Sequence, residues 1–290
     1  MQREFAIIIP FFQGEKLITD CIQSISESTV SGKIYVIDND YDDFITDMDV
    51  QVIKTKPSLG FGRAVNIGLH EAHSDGYRIF IVLNQDTKLK SDALELLLNQ
   101  IDDTSVVVPS YYDADFAQPE KHFLDYFLNG EIENNFTSIR EKQKLEITRA
   151  NAACIGFNNF VLEKLGGFDP IFKMYGEDDD FFTRLKARGS KIQLIPKAKV
   201  YHVHSLLSTN TVVKNKVLDW QATSENILDI RYNNQSVPRT IIQFLRLAGH
   251  KSKGLPDLFY ILKNWSIIKN KDIGEIRKRI NSFIHQDRIN

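Results

Sequence analysis

The stretch RIFIVLNQDT, residues 78–87, decides the fold: an apolar run of strand length breaks abruptly into three polar residues, Asn84, Gln85 and Asp86. A run apolar at consecutive positions suits a strand buried on both faces, as in a parallel sheet covered by helices. Working outward, the same arrangement recurs. Upstream, Phe5 to Pro10 reads as a first strand. Leu17, Ile18, Cys21, Ile22 and Ile25 give the following helix a buried face. Lys33 to Ile37 is a second strand ending in Asp38-Asn39-Asp40, Gln51 to Lys54 is a short third strand, and Gly62 to His70 is a helix entered through SLGFG, residues 58–62. Strands alternating with helical segments are the pattern of βα units feeding a parallel sheet.

Downstream, Ser91 or Asp92 is positioned to cap a helix over Ala93 to Ile101, and Val106 to Pro109 is a strand. The segment Tyr111 to Lys144 is aromatic, polar and weakly periodic, and is expected to form a variable loop region or acceptor-side insertion. Strand character resumes over Ile147 to Ile155, followed by a helix Asn159 to Leu165 closed by Gly166-Gly167. Glu177 to Arg188 is a helix, Lys191 to Ile195 and Lys199 to His202 are extended, and the remainder is largely helical.

Composition excludes several classes. Hydrophobic residues at 42% and charged residues at 26% place the 290-residue chain among folded globular proteins and away from disordered or fibrous ones. No run of about 18 apolar residues is present to span a bilayer, and the first strand lacks a cleavage-site pattern. Cys21 and Cys154 fall in helix and strand patterns, which suits reduced core thiols and a cytoplasmic setting. From Ser236 onward, eleven Lys or Arg stand against four acids, so this tail carries +7 and the rest of the chain −9. The acidic body disfavours nucleic acid as a partner, and the basic tail points to an anionic surface. In that tail Ile241, Phe244, Leu245 and Leu247 interleave with Arg239 and Arg246, and Phe259, Ile261, Leu262, Trp265 and Ile268 with Lys263 and Lys269. Two readings stand: an amphipathic membrane-surface element, or helices packed on the catalytic domain or on a second subunit.

In open α/β sheets ligands bind beyond the carboxyl ends of the strands, and polar residues cluster there in this chain. Asp38 can accept a hydrogen bond from a nucleotide base or serve a turn. Gly60 to Gly68 supplies a helix N-terminus with Arg63 placed to meet phosphate, or forms a tight strand-to-helix turn. Asp86 suits a hard cation, which takes one or two carboxylates together with substrate phosphates. His202 and His204, two apart, face the same way if the strand persists through them, and either can complete an Mn2+ shell. The densest cluster is Glu177-Asp178-Asp179-Asp180 after Tyr175-Gly176. Acids at a helix N-terminus gain about 0.3–1 kcal/mol each from the macrodipole. Four neighbours also repel one another, so at least one is held for a further task.

Six segments in order, AIIIPFF, VIDND, SLGFGRAVNIGL, LNQDT, GGFDPIFKMYGEDDDFFTRLKARGSKI and AKVYHVHS, resemble the GT-A-fold glycosyltransferases of family 2, in particular the bacterial branch of rhamnosyl- and galactofuranosyl-transferases. The resemblance covers about residues 5–210. It implies a mixed α/β sheet flanked by helices over residues 1–210, with a basic, mainly helical extension over 211–290. It further implies an inverting, metal-dependent hexosyl- or deoxyhexosyl-transferase using Mg2+ or Mn2+. Pro10, Phe12 and Asp38 would line the base pocket, and Gly60, Arg63, Asn66 and Asn84 would lie along the donor. Asp86 and His202 would hold the metal, and Asp178 would be the catalytic base with Glu177 as its competitor. Asn84 departs from the family's D-x-D element, where the first Asp often stands. The implied partners are a UDP- or dTDP-linked sugar, a glycan or lipid-linked acceptor of cell-surface polysaccharide such as O-antigen, the inner face of the membrane through the tail, and a second copy of the chain. Two rival readings remain. A sugar nucleotidyltransferase would carry a glycine-rich basic loop after the first strand, where this chain has PFFQGEK. A non-catalytic glycan- or partner-binding member of the fold would neither transfer nor hydrolyse a donor.

Overall fold

The first strand, β1 (Ala6–Phe11), is buried at all six positions, so it belongs inside a sheet with both faces covered. The computed structural model describes residues 4–44, 46–127, 136–203, 211–248 and 254–287. After β1 come α1 (Glu15–Ser26), β2 (Lys33–Asp38), β3 (Gln51–Lys54), α2 (Phe61–Ser74), β4 (Ile79–Leu83), β5 (Thr87–Leu89), α3 (Ala93–Leu98) and β6 (Ser105–Tyr112). The chain continues through α4 (Lys121–Phe127), α5 (Phe136–Ile139), β7 (Leu145–Ile147), β8 (Cys154–Asn158), α6 (Asn159–Leu165), α7 (Glu177–Ala187) and β9 (Lys191–His202). Five helices follow: α8 (Thr211–Tyr232), α9 (Val237–Ala248), α10 (Gly254–Lys263), α11 (Trp265–Lys269) and α12 (Ile273–Asp287).

Among the described residues the strands form one mixed sheet in the order β3-β2-β1-β4-β8-β6-β9-β5, with β7 added on β9. The half from β3 to β4 is parallel, as the βα pattern predicts, whereas β8 runs antiparallel to both β4 and β6. Several boundaries differ from the sequence reading. The apolar stretch Ile147 to Ile155 is two strands, β7 and β8, split by residues 148–153, where Asn151 and three alanines lie in a connecting loop. Tyr111 to Lys144 is no plain loop, because it contributes the end of β6 and two short helices. The helix α3 stops at Leu98, and Asp92 precedes it without a side-chain cap.

Lys191 to Ile195 and Lys199 to His202 merge into one strand, β9, that bulges against β6: Pro109 pairs with Ile195, but Ser110 pairs with Lys199. The extra residues let β9 rejoin β6 and then run antiparallel to β5, which sets His202 directly across from Thr87. The short strand β5 has no strong apolar signal, and sequence periodicity does not find it.

The C-terminal helices are integral to the packing. Ile276, Ile280 and Ile284 of α12 enter the main core, and a second core joins Ile171 and Phe172 to Ile227, Ile230, Leu258, Ile261 and Ile268. Of the apolar tail residues considered for a membrane surface, Ile261 and Ile268 are buried and Ile241, Leu262 and Trp265 pack on this second core. Their burial supports the packed-helix reading for these positions; Phe259, 70% exposed, is the exception. The side chains of Phe244, Leu245 and Leu247 lie outside the described residues. No described helix is long and apolar enough to cross a membrane. Both cysteines are buried in the main core as thiols.

Helix α2 lies close on the sheet because Gly68 has no side chain: a Cβ there would come 2.4 Å from Ile8 Cγ2 and 3.1 Å from Ile37. Gly68→Ala gains up to about 1 kcal/mol of helix propensity. Overpacking against two central strands costs about 1–3 kcal/mol, which outweighs it. The variant is therefore expected to unfold at lower denaturant concentration than the parent in equilibrium urea titrations.

Candidate active site

The ends of β1, β2 and β4 meet at one edge of the sheet. Phe12, half-buried just past β1, presents its ring edge-on to Tyr41 at 6.2 Å between centroids. Gln85 pins this turn: its Oε1 accepts from Phe12 N at 2.7 Å, and its amide nitrogen donates to the Gln13 carbonyl. Pro10 is buried within β1. Asp38 is 1% exposed, and its carboxylate accepts from the amides of Asp40 and Phe44 and from Lys54 Nζ at 3.1 Å. Through these contacts Asp38 organises the loop on which Tyr41 stands.

Internal contacts also shape the glycine-bearing entry into α2. Gly60 has φ 89°, and a Cβ on it would fall 1.8 Å from the Lys173 carbonyl oxygen, so only glycine fits. Arg63 donates through Nε and Nη2 to the Pro170 carbonyl, at 3.0 and 2.5 Å, and lies 5.1 Å over the Phe283 ring. Asn66, 3% exposed, brackets Phe168, donating to its carbonyl at 2.7 Å and accepting from its amide at 2.9 Å. These side chains grip the chain leading into α7.

Asp86 and His202 come together as expected, Oδ1 to Nε2 at 3.1 Å, because β5 and β9 pair on either side of them. His204 lies outside the described residues. Two adjacent ligands of an octahedral cation at about 2.1 Å stand about 3.0 Å apart, so this pair fits the shell of Mg2+ or Mn2+. Among the described residues no group of three His, Cys, Asp or Glu forms a complete cage. One carboxylate and one imidazole leave positions for phosphate oxygens and water, the usual habit of Mg2+ in phosphate chemistry. Behind the pair, the Tyr111 ring sits 6.1 Å from the His202 ring, and its hydroxyl donates to Asn151 Oδ1 at 3.0 Å.

The acidic run resolves into four different environments around the first turn of α7. Asp179 is exposed and accepts from Tyr126 Oη at 3.3 Å. Asp180 is fully buried between Arg184 at 2.8 Å and Arg231 at 2.7 Å; burial opposes its charge, but the two guanidiniums prevail and hold its carboxyl below the usual range. Glu177, 7% exposed, lies beside Gly62, and its Oε2 is buried without a hydrogen-bond partner among the described residues. Burial first, then repulsion from Asp178 and Asp179, raises Glu177 above the ordinary glutamate value. Asp178 is half-buried and is raised by burial and by Asp179, although the Asp179 and Ala152 amides favour its charge. The crowded pair is thus shifted above the ordinary carboxylate range.

The loop at 151–153 brings the two acidic regions together. Ala152 faces Asp178, while the carbonyl of the next residue, Ala153, accepts from Asn84 N at 2.8 Å. Neighbouring Cα atoms are about 3.8 Å apart, so the turn carrying Asp86 and the head of α7 flank one short segment. Sequence reasoning missed Gln85, Tyr126, Asn151 and Arg231. Gln85 sits inside the quoted LNQDT segment, and an amide between two candidate ligands was the available signal; the other three act through long-range contacts that no local pattern carries.

The comparisons agree with this architecture. Residues 6–166 match the Glycosyl transferase family 2 profile. No curated protein matches the sequence. Among solved structures, the chain resembles GalNAc-T7 crystallised with UDP, GalNAc and Mn2+, at a TM-score of 0.61 and 15% identity over 98% of this chain and 57% of that one. It also resembles S. aureus TarS, at 0.52 and 16% over 97% and 55%, and TarS 1-349 in complex with UDP, at 0.50 and 15% over 98% and 92%. This chain thus spans a little over half the length of the first two, and at such identity the likeness speaks for the fold, a mixed GT-A sheet flanked by helices. Since the family profile covers more than half of its residues, the chain belongs to glycosyl transferase family 2.

Proposed function

We propose that this protein transfers a sugar from a nucleoside-diphosphate donor to a hydroxyl of a saccharide acceptor, with inversion at the anomeric carbon. The observation that carries the reading is the convergence, across residues 151–153, of the Asp86–His202 pair and the head of α7. The two known structures crystallised with UDP lend the nucleotide its class. The sequence likeness to bacterial rhamnosyl- and galactofuranosyl-transferases points to a hexosyl or deoxyhexosyl unit carried on UDP or dTDP, and to a cell-surface polysaccharide acceptor. Residues 1–210 then form the catalytic domain, braced by the helical extension 211–290.

In this reading Phe12 and Tyr41 provide the aromatic wall for the base, in a turn fixed by Gln85. Asp86 and His202 hold Mg2+ or Mn2+, which supplies charge stabilisation to the departing diphosphate. Asp178 takes the proton of the acceptor hydroxyl as its oxygen attacks the anomeric carbon opposite the leaving group. Its raised proton affinity strengthens it as a base while leaving it ionised near neutrality. Glu177, more deeply buried and raised by the same neighbours, retains its proton more readily and spares Asp178 part of the repulsion.

A panel of UDP- and dTDP-linked sugars, incubated with Mn2+ and saccharide acceptors and read by nucleoside-diphosphate release, tests the activity. Asp178→Asn is expected to bind UDP as the parent does while turnover falls about 10²–10⁴-fold; undiminished turnover would remove Asp178 as the base. Asp86→Ala should weaken Mn2+-dependent UDP binding on the order of tenfold or more in calorimetry, since a charged ligand is lost from a two-residue set. Because a base acts deprotonated and Asp178 is shifted upward, kcat/KM should rise with pH through a midpoint above the ordinary aspartate value of about 4. A profile already flat at that pH would contradict the assignment.

A further inference from the structure

Residues 165–176, the segment between α6 and α7, are held almost residue by residue, and half of the holding groups come from the C-terminal helices. From the catalytic body, Arg184 donates to the carbonyls of Leu165 and Gly167. From the extension, Tyr260 of α10 donates to the Ile171 carbonyl at 2.9 Å, and Ser224 of α8 to the Met174 carbonyl at 3.0 Å. At the centre lies Arg231 of α8, fully buried, with its nitrogens facing three different parts of the chain. Its Nη1 meets Asp180 at 2.7 Å, its Nη2 lies 2.9 Å from Asp169, and its Nε donates to the Ile268 carbonyl at 2.8 Å. The guanidinium also lies 5.4 Å over the Phe172 ring.

We propose that Arg231 is a positioning residue for transfer: from α8 it locks the first turn of α7 to the segment before it, so that the C-terminal helices complete the active site. The proposal rests on the reading of Asp178 as base, because Asp180 lies two residues beyond it on the same turn. A planar guanidinium that donates to Asp180 and to the Ile268 carbonyl, with Nη2 in ionic contact with Asp169 but not in hydrogen-bond alignment, fixes orientation in a way that a flexible ammonium does not reproduce. Positioning is where such a constraint acts on rate, since a displacement of about 1 Å at a reacting group costs on the order of 100-fold.

The charge balance makes the test practicable. Three guanidiniums, of Arg184, Arg231 and Arg279, face two carboxylates, Asp169 and Asp180. In Arg231→Met, Asp180 keeps Arg184 and Asp169 keeps Arg279, so no buried carboxylate is left unpaired and the chain is expected to fold. UDP binding in Mn2+, carried in this reading by the turns after β1, β2 and β4 and by His202, should stay within about twofold of the parent. With the donor selected by the sugar panel, kcat should fall about 10- to 100-fold, with Arg231→Lys recovering part of the loss. Amide exchange should accelerate over residues 176–180 and stay unchanged in β1 and β4.

A kcat within about twofold of the parent, an equal loss of UDP affinity and kcat, or unaltered exchange at 176–180 would each overturn the proposal, these thresholds being set by the size of a positioning loss. Should the Met variant not fold, Arg279→Gln loosens the same Asp169 from a partly exposed position. It should then lower kcat several-fold at constant UDP affinity, and an unchanged kcat would count against the idea. If Asp178→Asn keeps full turnover, the base assignment fails instead, whereas the exchange result at 176–180 still judges Arg231.

Discussion

Two buried carboxylates, Asp169 before α7 and Asp180 within it, share the guanidinium of Arg231, and the geometry of the site depends on that sharing. Ions removed from water cost several kcal/mol each unless their partners are well directed. Here the return is directional: Arg231 reaches both carboxylates only when α7, α8 and the preceding segment stand in one mutual arrangement. Arg184 and Arg279 complete the cluster, while Tyr232 adds a hydroxyl to Asp180 at 2.7 Å. The acids at the head of α7 are thus held by a scaffold whose own charges are neutralised, so their crowding is expressed as raised proton affinity instead of disorder.

The sheet supplies the complementary half. Parallel strands β1, β2 and β4 bring the turns after each of them to one edge, as open α/β sheets do. The antiparallel partners β8 and β9 then return the chain to that edge from the other direction, carrying the 151–153 loop and His202. A purely parallel sheet would deliver helix N-termini and glycine loops to this place. The mixed sheet delivers an imidazole and a helix head rich in acid as well, the groups that the proposed transfer uses.

Much of this was legible in the residues. The apolar runs around 6–11 and 79–83 are buried on both faces and read correctly as central strands, and the pairing of Asp86 with His202 follows from their matching segments. What was not legible depended on contacts distant in sequence. Asp38, Arg63 and Asn66 are residue types suited to ligands, and each also holds backbone groups 6 to 107 residues away, which composition cannot disclose. Likewise the run at 177–180 announces a task, but the division of labour among four acids is set by Tyr126, Gly62, Arg184 and Arg231, drawn from four separate elements. The amphipathic tail carried two readings because an apolar stripe is the same whether it meets lipid or protein.

The irregularity where β9 skips ahead of β6 between Ile195 and Lys199 has a consequence for how this enzyme family member tolerates change in length. Side chains along a strand alternate between faces, so adding or deleting one residue in that interval would rotate His202 away from Asp86 and bring Tyr201 or Val203 round in its place. Two residues would restore the facing but slide the imidazole along the strand by roughly 6–7 Å. Surface loops elsewhere can drift freely in length over evolutionary time, whereas these few residues act as a ruler, and their count is as much a part of the proposed cation site as the two side chains assigned to it.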